Sequence, residues 1–214
     1  MARNKEHKFH KRLRFFGRAG VKEFETLNGL RVAFVSGKDT DIFGQQIACK
    51  IDADKNYFGN YFSQQDIKNL ISENDQKPVD ILISCQYPAG LLPLDKKEDQ
   101  AEIMNHTSSS LSVLAHRLSP RYIFASSSVE ISEVGDPYLS SSKQFLSRAT
   151  ILANFGRKPE GSKETYIKAI EIEPMKSMVD FKALREEIEQ TDHIDQHIFE
   201  TIFTDDHEQD FVNA

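Results

Sequence analysis

The sequence predicts an α/β protein, and three stretches carry the prediction. Val79 to Ser84 is an apolar run of strand length, and Tyr122 to Ser126 is a second one. Between them, Leu111, Leu114, Ala115 and Leu118 fall at i, i+3, i+4 and i+7, the spacing of one buried helix face. The order is therefore strand, helix, strand. Upstream, Val21 to Gly37 holds two apolar runs separated by Asn28-Gly29, a residue pair that tolerates the positive φ angles of a tight hairpin turn.

Each element has local support. The helix from Ser108 to Leu118 opens on Ser108-Ser109-Ser110, whose hydroxyls suit a cap, and Pro120 stands just past its end. A crossover helix makes its two flanking strands parallel, so Cys85 and Ser126-Ser127-Ser128 are predicted to share one sheet edge. In the hairpin, Leu30 to Ser36 is almost continuously apolar apart from Arg31, as expected of a strand covered on both faces. Lys38 to Asn74 is broken by Gly, Asn, Asp and Gln, and within it Asp66 to Ile71, following Ser63, reads as a capped helix. Phe145 to Asn154 and Thr165 to Ile172, joined by a loop rich in Gly, Pro and Lys, read as an antiparallel pair. After Pro174, the spacing of Met178, Phe181, Leu184 and Ile188 marks an amphipathic helix leading into an acidic remainder. The chain divides into a basic tail (1–14), a body (15–175) and an acidic helix with its tail (176–214).

Composition narrows the function classes. The 214 residues are 39% hydrophobic and 28% charged, with a mean hydropathy of -0.50. No run approaches the roughly 20 apolar residues of a membrane span. The basic start meets Phe15-Phe16-Gly17 and no long apolar core, unlike a secretory signal. A cytosolic or nuclear location is the expectation. Cys49 and Cys85 lack CxxC spacing and are expected to be reduced thiols, with neither a disulfide framework nor a zinc cluster. The net charge of -6 hides an asymmetry: the first eighteen residues carry seven Lys or Arg against Glu6, whereas Asp180 to Asp210 is acidic. The basic segment reads as a solvated tail, with a nuclear address or RNA phosphate contacts through Lys8, Lys11, Arg12 and Arg14 as the sharper alternatives.

The shared edge is where an open α/β sheet places a ligand crevice, which raises the question of what Cys85 does. A nucleophilic cysteine needs a base held in reach, and His106 and His116 are the available candidates. His116 is better explained as a structural residue on its helix. The serines at 126 to 128 lack a GxSxG elbow, and Ser140-Ser141-Ser142 reads as a loop. His193 and His197 are spaced i, i+4, but HIDQH lacks the glutamate of HExxH. His7, His10 and His207 lie in the tails. There is no GxGxxG, no Walker A sequence and no clustered aromatic RNA-binding signature, so the residues alone define an α/β domain without an assembled active site.

Several stretches together resemble the amino-terminal domain of the CWF-nineteen-like protein one family: FGRAG (16–20), NGLRVAFVSG (28–37), VDILISCQYPAG (79–90), LSPRYIFAS (118–126), and SRATILANFG with YIKAIEIEPMKSM (147–156, 166–178). No single motif suffices; their order and spacing carry the resemblance. It implies a partial calcineurin-like metallophosphoesterase-type sandwich, similar to the lariat debranching enzyme, with a βαβ unit and antiparallel strands. In that enzyme the strand matching Val79 to Ser84 ends in a Ser-His-Asp-Trp-Pro-like turn whose histidine binds metal. Here Cys85 stands at the histidine's place. Ser127 and Val129 stand at the places of a following His-x-His motif. Ligand turns of the GDxxG, GDxxD and GNHE types are absent, so the match is expected to cover about the second half of that domain, in a shortened paralogue or an incomplete gene model. A half-sheet of this kind would expose an edge strand.

The resemblance implies a non-catalytic, splicing-associated interaction protein, linked to intron-lariat debranching or turnover and to post-splicing complexes. On this reading it has no catalytic residues, no cofactor and no metal, and its partner is a protein of the splicing or debranching machinery. It leaves open a residual metal-dependent phosphoesterase acting on RNA, and an RNA-binding module using the basic segment. No membrane contact is expected, and oligomeric state is not indicated.

Overall fold

The computed structural model describes residues 7–10, 13–40, 61–74, 77–91, 107–126, 135–140, 144–152, 167–178, 181–191 and 194. In chain order the elements are β1 (His7–His10), β2 (Leu13–Phe15), β3 (Ala19–Phe24), β4 (Leu30–Val35), β5 (Lys38–Asp39), β6 (Tyr61–Phe62), α1 (Gln64–Asn74), β7 (Ile81–Ser84), β8 (Tyr87–Pro88), β9 (Thr107–Ser108), α2 (Ser109–Leu118), β10 (Tyr122–Ser126), β11 (Tyr138–Leu139), β12 (Leu146–Leu152) and α3 (Lys182–Gln190). Six of these strands form one sheet in the order β11-β12-β10-β7-β4-β3. Its four central strands are parallel, and β3 and β11 are antiparallel edges. The predicted βαβ unit is present as β7-α2-β10.

Register explains how the sheet divides its side chains. Ala33, Leu82, Ile123 and Ala149 lie level across the four parallel strands, and all are buried. They pack with Ile67 and Leu70 of α1 and with Leu111, Leu114 and Leu118 of α2, so this face and the two helices make the core. Side chains alternate along a strand, so the neighbouring positions look the other way. Val32, Ile81 and Tyr122 form one row on that second face, and Phe34, Ile83 and Phe124 the next. Ile83 is 48% exposed. The expectation that β4 is covered on both faces is thus corrected: its burial alternates, with Ala33 and Val35 inside and Val32 and Phe34 only half-buried. No second sheet packs face to face on this one among the described residues, so they do not display the implied two-sheet sandwich.

The helix ends follow their sequence signals. Ser63 accepts from the Asp66 amide (3.3 Å) while Asp66 accepts from the Ser63 amide (2.9 Å), a reciprocal cap that opens α1. Ser108 accepts from the Leu111 amide at 3.1 Å to open α2, and Ser119 closes it in a left-handed conformation (φ 43°). The hairpin differs from a two-residue turn. A 3-10 turn, Glu25–Leu27, precedes Asn28 (φ 55°) and Gly29 (φ 79°), so the positive angles fall where expected within a longer loop.

A further expectation is corrected. Phe145 to Asn154 and Thr165 to Ile172 read in sequence as an antiparallel pair, but among the described residues 145–152 and 167–172 do not pair. β12 is instead parallel to β10, and its other edge is taken by the segment before it: β11 pairs with Leu146 and Ser147, and the Gly135 amide donates to the Ala149 carbonyl (3.0 Å). With both edges taken, residues 167–172 form no strand, and Lys168 Nζ reaches Thr150 Oγ1 at 3.0 Å. Within the basic segment, β1 and β2 pair antiparallel as a separate two-stranded sheet, with Lys8 opposite Arg14.

The opposite sheet edge, where the parallel strands begin, is closed by residues 173–178 and 181–188. The Met175 amide donates to Asp80 Oδ1 (2.7 Å) and the Arg31 amide to Asp80 Oδ2 (2.8 Å). Arg121 donates to the Glu173 carbonyl at 2.9 Å. Lys176 bonds Glu23 on the edge strand and holds that carboxyl below its ordinary range. Below these contacts Phe145, Met175 and Leu184 are buried together, with Met178 and Phe181 beside them; the helix read after Pro174 is present over Lys182–Gln190, so Met178 and Phe181 pack from the segment before it.

Tyr138 is 2% exposed at the β11 edge. Burial pushes its phenol well above the ordinary 10.0, and the Ser147 hydroxyl beside it offsets part of that rise. The folded state therefore holds this proton more tightly than the unfolded chain. Stability is full below pH 10 and falls as pH rises beyond it, by up to about 1.4 kcal/mol per pH unit for one proton. The urea midpoint is expected to drop more steeply above pH 10 in the native protein than in Tyr138→Phe; parallel curves would refute the assignment.

Candidate functional site

The carboxyl ends of the parallel strands form the edge at which the sequence places Cys85 and the serines. Val35, Ser84, Ala125 and Ile151 are level across β4, β7, β10 and β12, so the chain leaves all four strands at one height. Cys85, one residue beyond, is a free thiol exposed to solvent. Ser126 is exposed on the same edge. Ser127 and Val129, the other two positions where the resemblance implies lost ligands, lie outside the described residues, as do His106, Lys11, Arg12, His193, His197 and His207.

The residues next to Cys85 turn inward. Gln86 is 2% exposed, and its Oε1 accepts from the Asp39 amide at 2.5 Å. Asp39 Oδ2 accepts from the Ser108 hydroxyl (2.5 Å), the same hydroxyl that caps α2. Ser84 donates to the Gln86 carbonyl (2.7 Å), the Ala89 amide to the Ser108 carbonyl (3.1 Å), and Ser112 to the Ala89 carbonyl (2.8 Å). Tyr87-Pro88 pairs in parallel with Thr107-Ser108. This turn therefore fastens the start of α2 to the ends of β5 and β7. Buried polar groups must find partners, and here they find one another. Gln86 Nε2 is buried with no hydrogen-bond partner among the described residues.

The histidine candidate for a Cys/His pair lies far off. The start of α2 sits at Ala89 on the carboxyl edge, and eight residues of helix carry His116 about 12 Å away along it, toward the start of β10. The structure therefore does not bring His116 to Cys85. Among the described residues no three of His, Cys, Asp and Glu converge in a way that could hold a metal ion. A crevice lined by Tyr87, Leu91, Ile123, Ala125, Ala149 and Ile151 lies behind the edge; it is apolar and of about the size of one water.

Sequence reasoning missed the Asp39–Ser108–Gln86 latch. Its members come from three distant segments, and no local pattern distinguishes Asp39 from a loop aspartate. The one usable signal was the polar run Ser84-Cys85-Gln86 directly after a buried strand.

These features define an α/β protein whose polar turns gather at one edge of a mainly parallel sheet. No family model matches the chain. It is 31% identical over 173 residues to CWF19-like protein 1 of Mus musculus, an alignment that takes in 77% of this chain and 29% of the mouse protein. The chain belongs to the CWF19-like family as a distant member. It spans less than a third of the length of that relative. Among the described residues no helix is long and apolar enough to cross a membrane.

Proposed function

We propose that this protein is a non-catalytic, splicing-associated interaction protein, acting in the nucleus beside the machinery that debranches or turns over excised introns. The observation that carries the reading is the relationship to CWF19-like protein 1, which implies a splicing-related role. The lack of catalysis is supported by chemistry at the carboxyl edge. Cys85 occupies the place where the resemblance puts a metal-binding histidine, and its exposed thiol has no convergent His, Asp or Glu among the described residues. The Oε1 of Gln86, beside it, accepts from the Asp39 amide and so holds β5.

Two measurements on the full chain test this. Purified protein, incubated with Mn, Fe or Zn and desalted, is expected to retain no stoichiometric metal and to leave a model phosphodiester uncleaved. Metal-dependent turnover that disappears in Cys85→Ala would establish the residual phosphoesterase instead. The interaction role predicts that tagged protein from nuclear extract co-purifies with excised-intron RNA and debranching proteins above an unrelated tagged control. Equal recovery with the control would sink it.

A further inference from the structure

We propose that the open face of the six-stranded sheet, which the chain joins to the basic β1–β2 segment at Phe16, is a platform for single-stranded RNA. That nucleic acid of this kind is met by the protein at all rests on the splicing-related reading above; the choice of surface rests on the following observations. The face opposite the helices carries Phe34 on β4 and Tyr122 and Phe124 on β10, each only half-buried. Tyr122 and Phe124 have nearly parallel rings (10°) with centroids 6.5 Å apart, so both are presented in the same sense. Phe16 extends the aromatic surface past the edge strand, lying 6.0 Å from Phe34 and 6.3 Å from Phe24. A side chain at Gly20 would come within 3.0 Å of the Phe34 ring, so glycine there lets the ring lie across the edge. In the sequence these rings are scattered; only the sheet assembles them.

Charge on the rim selects the occupant. The row Val32-Ile81-Tyr122 is bracketed by Lys22 on β3 and Arg148 on β12. Lys22 lies 5.5 Å over the Phe16 ring. Arg148 pairs with Glu187 at 2.7 Å yet keeps its side chain 30% exposed. The row Phe34-Ile83-Phe124 ends on Thr150, where Lys168 is bonded. The β1–β2 pair, with Lys8 opposite Arg14, ends at Phe15, so Phe16 joins the basic segment directly to the aromatic face. Aromatic rings flanked by cations suit unpaired bases with their phosphates, since every base offers a π-face and the backbone supplies the negative charge. An apolar protein partner would use the rings but gain little from the cations that bracket one row and end the other.

The test is fluorescence anisotropy of the full chain with labelled single-stranded RNA, the matching DNA strand and duplex RNA. Binding of single-stranded RNA, weakening as salt is raised and exceeding that of duplex RNA, is expected. The pair Phe34→Leu and Phe124→Leu keeps the apolar surface but removes the stacking planes, and should lose about tenfold in affinity with the unfolding midpoint unchanged. Lys8→Ala with Arg14→Ala should flatten the salt dependence. The platform is overturned by absence of RNA binding, by binding indifferent to the leucine pair, or by self-association through this face. Tighter binding of the DNA strand overturns the RNA assignment. Because the probes are bare oligonucleotides, failure here is distinguishable from failure of the co-purification test, which reads the splicing role.

Discussion

Asp80→Ala is expected to lose about 3 kcal/mol or more of folding stability, because one buried carboxylate serves two backbone amides at once. Asp80 is 1% exposed, and its two oxygens bond separate parts of the chain. One accepts from the Arg31 amide at the start of β4 and the other from the Met175 amide, ninety-five residues away in sequence. Alanine would leave both N–H groups buried without an acceptor, and an unsatisfied buried donor costs about 1–3 kcal/mol. Arg31 adds to the coupling, because its guanidinium bonds the Pro78 carbonyl (2.8 Å) and Asn74 Oδ1 (2.7 Å), tying the end of α1 to the same corner. Urea unfolding followed by circular dichroism measures the loss. A change below about 1 kcal/mol would mean that water reaches the two amides, and hence that residues 173–178 are not docked on the sheet in solution.

That corner also shows what was legible in the sequence. Period and caps marked the elements: α2 runs from its serine cap to just before Pro120, β10 is Tyr122–Ser126, and the helix after Pro174 packs Leu184 inward. These signals are local, set by side-chain alternation, hydroxyl capping and the missing N–H of proline. Pairing partners were not legible. Nothing in Leu146 to Leu152 says that its neighbour is β10 in parallel and not the next apolar run, because the choice was made by residues 135–139 occupying the remaining edge. Asp80 itself reads as an ordinary polar residue before a strand. The carboxyl edge was legible as a place, since the βαβ unit fixes it, and Cys85 does lie there. The residues themselves assign it no chemistry; a degenerate ligand place is what the family resemblance implies. The latch of Asp39, Ser108 and Gln86 depends on contacts across 47 and 69 residues, beyond any local pattern.

The difference between the two sheet faces gives the second large effect. Leu82 and Ile83 are consecutive in β7, equally apolar, and indistinguishable in a run such as Val79 to Ser84. Leu82 is fully buried beneath the helices, whereas Ile83 is 48% exposed on the open face. Leu82→Ala leaves a cavity in a packed core and is expected to cost about 3 kcal/mol, within the range for buried leucines. Ile83→Ala removes methyl groups that water already reaches, and should cost less than about 1 kcal/mol. Unfolding midpoints of the two variants, measured side by side in the full chain, decide the matter. Equal losses would show that the second face is covered in solution, which would also remove the surface on which the RNA platform depends. A large loss for Leu82→Ala with a small one for Ile83→Ala keeps that face free, and leaves its aromatic rows available to a partner.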